Sequence, residues 1–301
     1  MRFKGYFLGL LSSVSYGLIP LFVLPIKKAG FGIDTTLFYR FAFAALLLGS
    51  YLLLKQKSFN IERNQILTLA VLGMFYGISS DSLFLAYDYL NAGVASTLLF
   101  IYPLLVAIIM ALVFKEKLNS TSIFAIVFTL IGVLLLSLQN GKFAINGIGL
   151  FIIFISALGY ALYIVTVSKS NVKNLNGLVL TFYSFLFTSV YYAVKLLTDS
   201  NKNFEIPTFS LGLNLALFAL VTTVISSLAL VFAIKYIGST ATSILGAFEP
   251  VVAVSISVLL FDEFFSLNLA LGISCIILGV TLNIIGDAYK NRKKLKKATL
   301  G

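Results

Sequence analysis

Apolar residues fill this chain in ten long runs, and most charged residues fall in the short joints between them. About 20 apolar residues cross the hydrocarbon core of a bilayer as one helix. The runs at 5–26, 34–54, 65–86, 94–114, 121–138, 147–168, 176–197, 211–234, 241–261 and 267–286 predict ten such helices, the fifth the shortest. The expected fold class is an all-α integral membrane protein with ten transmembrane helices.

Two stretches align without a gap at an offset of 147 residues. Tyr89, Ser96, Pro103, Leu112, Phe114, Glu116, Gly132 and Val133 recur as Tyr236, Ser243, Pro250, Leu259, Phe261, Glu263, Gly279 and Val280. The first helices of the two copies match more weakly: Gly5, Ser12 and Tyr16 answer Gly149, Ser156 and Tyr160 at an offset of 144, and helices 2 and 7 share little. The chain thus divides into a first unit over 1–140, a second over 141–289 and a basic tail over 290–301. Five spans is an odd number, so the second unit enters the membrane from the opposite face, giving two inverted five-helix repeats. Glu116 then closes helix 4 on one side and Glu263 closes helix 9 on the other. Inverted repeats let a pseudo-symmetric protein exchange inward-open and outward-open states, so transport is the leading functional expectation.

Composition agrees with a lipid solvent. The chain is 59% hydrophobic and 11% charged, with mean hydropathy +1.02, more apolar surface than a soluble fold of this length can hide. Its net charge of +11 raises nucleic acid as a partner. Basic residues collect in cytoplasmic loops of multi-pass proteins, however, and that ordinary reading is preferred. Arg2, Lys4, Lys55, Lys57, Arg63, Lys115, Lys117, Lys169, Lys173 and Lys235, with six more between Lys290 and Lys297, fall on the side of the termini. Lys27, Lys28, Lys142, Lys195 and Lys202 fall opposite. Both termini are expected in the cytoplasm, the tail adding loose attraction to anionic lipid. The first run is interrupted by Gly17, Pro20 and Pro25 and lacks a small-residue cleavage pattern, so it reads as a span, not a cleaved signal. With no histidine and one cysteine, Cys275, an intramolecular disulfide, a zinc site and a thiol–histidine pair are excluded. Neither a metal nor a cofactor is expected. No phosphate-cradling glycine loop is present, which disfavours transport driven by ATP.

Candidate chemistry lies inside the runs. Pro103 and Pro250 occupy equivalent points, where a mid-helix proline would kink the helix and free the carbonyls of Leu99 and Gly246 toward a cavity. Arg40 lies roughly 9 Å from the outer end of helix 2 and Asp81 roughly 24 Å from the inner end of helix 3, at about 1.5 Å per residue. Their similar depth leads to the expectation that they face each other or share an outer vestibule, a structural ion pair being the plainer alternative. Glu249, roughly 12 Å into helix 9, is placed to carry a proton or to cap a substrate ammonium; a carboxyl hydrogen-bonded within the bundle is the plainer reading. Ser12, Tyr16, Ser80, Ser96, Tyr102, Tyr160, Tyr163, Thr223, Ser227 and Ser243 supply a hydroxyl and aromatic set suited to a cavity for a small amphipathic solute. Taken singly, each is as well explained by a bond to its own helix. Gly272, Gly279 and Gly286, with Gly132 answering Gly279, form small-residue stripes for close packing of helices 5 and 10, against each other or at a homodimer contact.

The stretch ASTLLFIYPLLVAIIMALVFKEKL at 95–118, its partner TSILGAFEPVVAVSISVLLFDEFF at 242–265, and the pairs Gly132–Val133 and Gly279–Val280 resemble the EamA-type carriers of the drug/metabolite transporter superfamily. Arg40 near the start of helix 2 also fits that pattern. The resemblance covers essentially the whole chain. It implies secondary transport, frequently export, of amino acids, other metabolites or drugs across the bacterial inner membrane. Relatives that carry sugar phosphates show several basic residues within the spans, whereas Arg40 stands alone here, so phosphorylated cargo is disfavoured. The expectation is an exporter of an amino acid or related amphipathic solute, with proton coupling through Glu249 or Asp81. The alternative is a flippase for a lipid or lipid-linked precursor. An embedded enzyme is disfavoured by the lack of a convergent catalytic set.

Overall fold

Inside a bilayer the backbone must satisfy its own hydrogen bonds, and a chain of apolar runs does so by becoming helical. The computed structural model describes residues 2–90, 95, 98–116, 120–137, 146–198, 205–246, 248–260, 267–268, 270–279, 281–282 and 285, and no strand occurs among them. The helices are α1 (Arg2–Gly17), α2 (Ile19–Lys28), α3 (Ile33–Leu54), α4 (Arg63–Ala86), α5 (Tyr102–Leu112), α6 (Ser120–Ser137), α7 (Gly147–Lys169), α8 (Gly177–Thr198), α9 (Phe209–Phe218), α10 (Ser226–Ile237), α11 (Ser239–Leu245) and α12 (Phe248–Leu260). A shorter apolar helix, α13, follows at Ala270–Gly279. Six helical stretches are long and apolar enough to cross a membrane: Arg2–Lys28, Ile33–Leu54, Arg63–Ala86, Gly147–Lys169, Gly177–Thr198 and Phe209–Ile237. Phe7, Leu46, Leu67, Phe151 and Val194 lie exposed along them, apolar faces that lipid covers. The protein is a multi-pass membrane protein.

Several runs are broken rather than continuous. The first bends at Leu18, between α1 and α2. The fourth opens with a 3-10 turn at Leu99–Ile101 before α5, the eighth carries a π turn at Ala219–Ile225 between α9 and α10, and in the ninth α11 ends at Leu245, capped by Gly246, ahead of α12. Pro103 and Pro250 therefore lie in the first turns of α5 and α12, where no donor is needed, rather than kinking a continuous helix. The carbonyls expected to be free are taken: Leu99 C=O accepts from Tyr102 N–H and Gly246 C=O from Glu249 N–H at 2.8 Å.

The two copies interlock. α1 packs on α10 and α4 on α7, which are equivalent pairs in the internal alignment, while α3 packs on α8. Equivalent residues make equivalent contacts. A Cβ on Gly5 would stand 2.7 Å from Ile237 Cγ2 and 2.8 Å from Tyr236 Cβ; one on Gly149 would stand 2.7 Å from Leu90 Cγ and 3.0 Å from Tyr89 Cβ. Ser12 Oγ lies 3.4 Å from Ser226 Oγ, and Ser79 Oγ lies 3.4 Å from Ser156 Oγ. The small-residue stripes of α6 and α13 meet each other, since a Cβ on Gly132 would fall 2.7 Å from Ile276 Cγ1 and one on Gly279 2.7 Å from Thr129 Cγ2. Gly286 lies outside the described residues.

A test of this packing is Gly73 on α4, where a Cβ would stand 2.6 Å from Phe187 Cβ and 2.9 Å from the backbone nitrogen of Thr188. Neither neighbour can swing aside. Gly73→Val is expected to cost about 1–3 kcal/mol, read as a lowered unfolding midpoint in detergent. Gly147→Ala, which meets nothing within 4 Å, serves as the neutral control.

Candidate functional site

Helix breaks and helix contacts bring a group of tyrosines to the interface of the two copies. Tyr16 of α1 stacks on Tyr160 of α7, with ring centroids 6.0 Å apart and planes inclined by 14°. Tyr102, at the start of α5, meets Tyr160 edge-on at 4.7 Å. Tyr76 of α4 lies 5.0 Å from Tyr163 and 6.4 Å from Tyr160. All five are buried. Tyr76 is absent from the set expected from sequence, yet it is central: its hydroxyl shares a 2.8 Å hydrogen bond with Ser227 Oγ. The available signal is the internal alignment, in which Tyr76 is the counterpart of Thr223.

Glu249 enters from α12, 6% exposed. Its side chain makes no hydrogen bond or ion pair among the described residues. It borders a small cavity together with Tyr16, Gly17, Leu83, Tyr87, Leu99 and Pro250. That cavity has room for about one water.

Arg40 is fully buried on α3. Its Nε donates to Thr223 Oγ1 at 2.6 Å and its Nη2 reaches the carbonyl of Thr222 at 3.5 Å. The guanidinium carbon sits 4.6 Å from the ring centre of Phe218, 5.4 Å from Phe41 and 5.7 Å from Tyr16, distances at which a cation is attracted to a ring face. Thr222 and Thr223 belong to the π turn; such turns re-aim a helix's side chains and recur at functional positions.

Arg40 and Asp81 have different partners, contrary to the pairing expected from their depth. Lys195 Nζ on α8 lies 2.7 Å from both carboxylate oxygens of Asp81 and 2.7 Å from Asp34 Oδ1, joining α3, α4 and α8. Depth along two helices says nothing of which faces meet, and a lysine with three donors close to two carboxylates takes them both. Asp34 and Lys195 are not singled out by sequence, since each lies near the end of its run and reads as a boundary charge.

The remaining candidates divide. Ser12 contacts Ser226, and Ser227 meets Tyr76. Ser80 is buried on α4, its hydroxyl without a partner among the described residues. Ser243 donates to the carbonyl of Thr240 in its own helix at 2.9 Å, the local alternative for a membrane hydroxyl. Ser96 lies outside the described residues. Away from this site, Glu116 pairs with Lys169 at the end of α7.

Two copies of one helical unit meeting at a buried polar site, beside interrupted helices, are the architecture of a membrane carrier. The EamA-like transporter family model matches residues 3–138 and 147–285, one match per copy. The chain belongs to the EamA-like transporter family, within the drug/metabolite transporter superfamily. It is 24% identical over 309 residues to an uncharacterized transporter of Clostridium kluyveri, covering 98% of this chain and 96% of that protein. Protein LicB of Haemophilus influenzae is 26% identical over 212 residues, 69% of this chain and 72% of its own length. A solved crystal structure shares the fold at a TM-score of 0.81 over 96% of this chain and 99% of its own, at 16% identity.

The ion cluster yields a stability prediction. Lys195→Met leaves the carboxylates of Asp34 and Asp81 together without their cation and is expected to destabilise by about 2–4 kcal/mol. Asp81→Asn, which leaves Lys195 on Asp34, costs less. Exchanging Arg40 and Asp81 for one another is expected to restore nothing, and thermal unfolding of the three variants in detergent checks all of this.

Proposed function

We propose that this protein is a secondary carrier that moves a small amphipathic solute, an amino acid or a related compound, by alternating access. In this reading ten spans form two inverted units over 1–140 and 141–289, in the inner membrane, with both termini and the tail 290–301 in the cytoplasm. Direction is outward, as for exporters of the resembled family, and Glu249 takes part in coupling transport to protons.

The observation that carries the reading is the convergence of the helix breaks. Leu18, Leu99–Ile101, Ala219–Ile225 and Gly246 adjoin Tyr16, Tyr102, Thr223 and Glu249 respectively. Interrupted helices at a repeat interface supply both polar groups for cargo and points where the two units can pivot. A small cavity bordered by a lone carboxylate and aromatic rings is the expected centre of such a cycle.

Counterflow of labelled metabolites into proteoliposomes, with an amino-acid-centred panel and an imposed pH gradient, tests this. Saturable exchange is expected, accelerated by the gradient. Glu249→Gln is expected to lower it by at least roughly 10-fold, the effect of losing a charged hydrogen-bonding group at the site. Absence of exchange for every soluble compound, in vesicles holding folded protein, would overturn the reading in favour of a lipid or lipid-linked-precursor flippase.

A further inference from the structure

We propose, resting on the carrier reading above, that Arg40 and Glu249 are the two poles of one binding site. Arg40 receives a carboxylate and Glu249 an ammonium, so the cargo is a zwitterion of the α-amino acid kind rather than a simple amine or acid.

Arg40 carries a permanent charge and five donors, yet among the described residues the groups that contact it are neutral: Thr223 Oγ1, the Thr222 carbonyl and the rings of Phe218, Phe41 and Tyr16. Its Nη1 is buried with no hydrogen-bond partner among the described residues. A buried guanidinium is ordinarily matched by a carboxylate, whose two oxygens fit its fork. Lys195, near the end of α8, has two such partners. Arg40 does not line the cavity that Glu249 borders but faces the Tyr16 ring that does, and its open donor is on the edge of the guanidinium that Thr223 leaves unoccupied.

Glu249 has the complementary deficit, a buried carboxyl with no donor among the described residues. The two charges do not pair with each other. Tyr16 is the wall they share: its ring lies 5.7 Å from the Arg40 guanidinium and also lines the cavity that Glu249 borders. Tyr16 and Tyr76 are both within electrostatic reach of Arg40 and of Glu249, and Tyr102 and Tyr160 are within reach of Glu249. A site with a cation at one end and a carboxylate at the other, lined by ring faces that also attract an ammonium, matches a molecule carrying the opposite charges. An amine alone would leave Arg40 unmatched, and an acid alone would leave Glu249 unmatched.

The test is a substrate ladder in proteoliposomes. The standard amino acids are screened by counterflow, and each one exchanged is compared with its carboxamide, its decarboxylated amine and its deaminated acid. Wild type is expected to take the zwitterion and to lose roughly 10- to 100-fold in affinity with each of the other three, the effect of one charged hydrogen-bonding partner. Arg40→Gln is expected to remove that preference over the amide and amine by weakening the zwitterion alone, with Arg40→Lys intermediate. Equal exchange of zwitterion and amine by wild type overturns the proposal while leaving the carrier intact, and so does exchange of other metabolites but of no amino acid. An Arg40→Gln protein that loses affinity for zwitterion and amine alike would make Arg40 structural. The wild-type ladder decides the matter even where the variant does not fold. Exchange of nothing at all, in vesicles with folded protein, overturns both this proposal and the carrier reading.

Discussion

A backbone N–H or C=O in hydrocarbon has no water to turn to, and this constraint governs where the helices of this protein can break. A break on a lipid-facing surface would strand polar groups at a cost of several kcal/mol each. The same break facing protein can be repaired by 3-10 bonds, as at Leu99 and Gly246, or by the wider bonding of the π turn at Ala219–Ile225. Among the described residues the interruptions adjoin buried positions at the contact of the two copies, namely Leu99, Phe100, Thr222, Thr223 and Gly246. Since the polar side chains also gather there, the backbone rule and the candidate binding site share one location.

Duplication sets the scaffold, and divergence sets the chemistry. Gly5 against Tyr236 and Ile237 repeats Gly149 against Tyr89 and Leu90, and the serine pairs 12–226 and 156–79 repeat likewise. These contacts hold the long helices at the same separation in both halves. At the centre the alignment places Glu249 where the other copy has Tyr102, and Thr223 where it has Tyr76. A strictly symmetric site would present the same groups to both ends of a cargo. Replacing one tyrosine of each pair gives the site a direction, with an acceptor at one pole and, through Thr223, a held cation at the other.

Apolar length is the whole signal of a membrane helix, so the expected runs at 34–54, 65–86, 147–168 and 176–197 agree with α3, α4, α7 and α8. Breaks within a run do not alter that signal. Prolines mark three of them, but a proline at the start of a new helix and one inside a continuous helix look alike in a linear pattern. The π turn carries no residue-level mark beyond its paired threonines. Ser12, Tyr16, Tyr102, Tyr160, Thr223 and Ser227 were legible because hydroxyls within apolar runs tend to collect where protein faces protein. Lys195 and Asp34 were not, because a charge within two turns of a helix end has an ordinary explanation in the interface.

The two ionic groups of the bundle contrast in a way that bears on their roles. Burying a charge at bilayer depth costs about 2.5–3.5 kcal/mol even where insertion tolerates it, and proteins offset this by complete pairing. The cluster at the helix ends follows that rule: Lys195 sits between Asp34 and Asp81, with all three distances at 2.7 Å, and ties three helices together. Arg40 and Glu249 do not follow it. Arg40 is the more buried of the two cations, yet neutral groups and ring faces hold it, with one nitrogen unsatisfied among the described residues, while Glu249 stands apart beside the cavity. A fold that needed only stability would join these two charges or replace both with apolar side chains. Keeping them separate and incompletely matched is a standing cost, one that a ligand bearing both opposite charges removes when it enters.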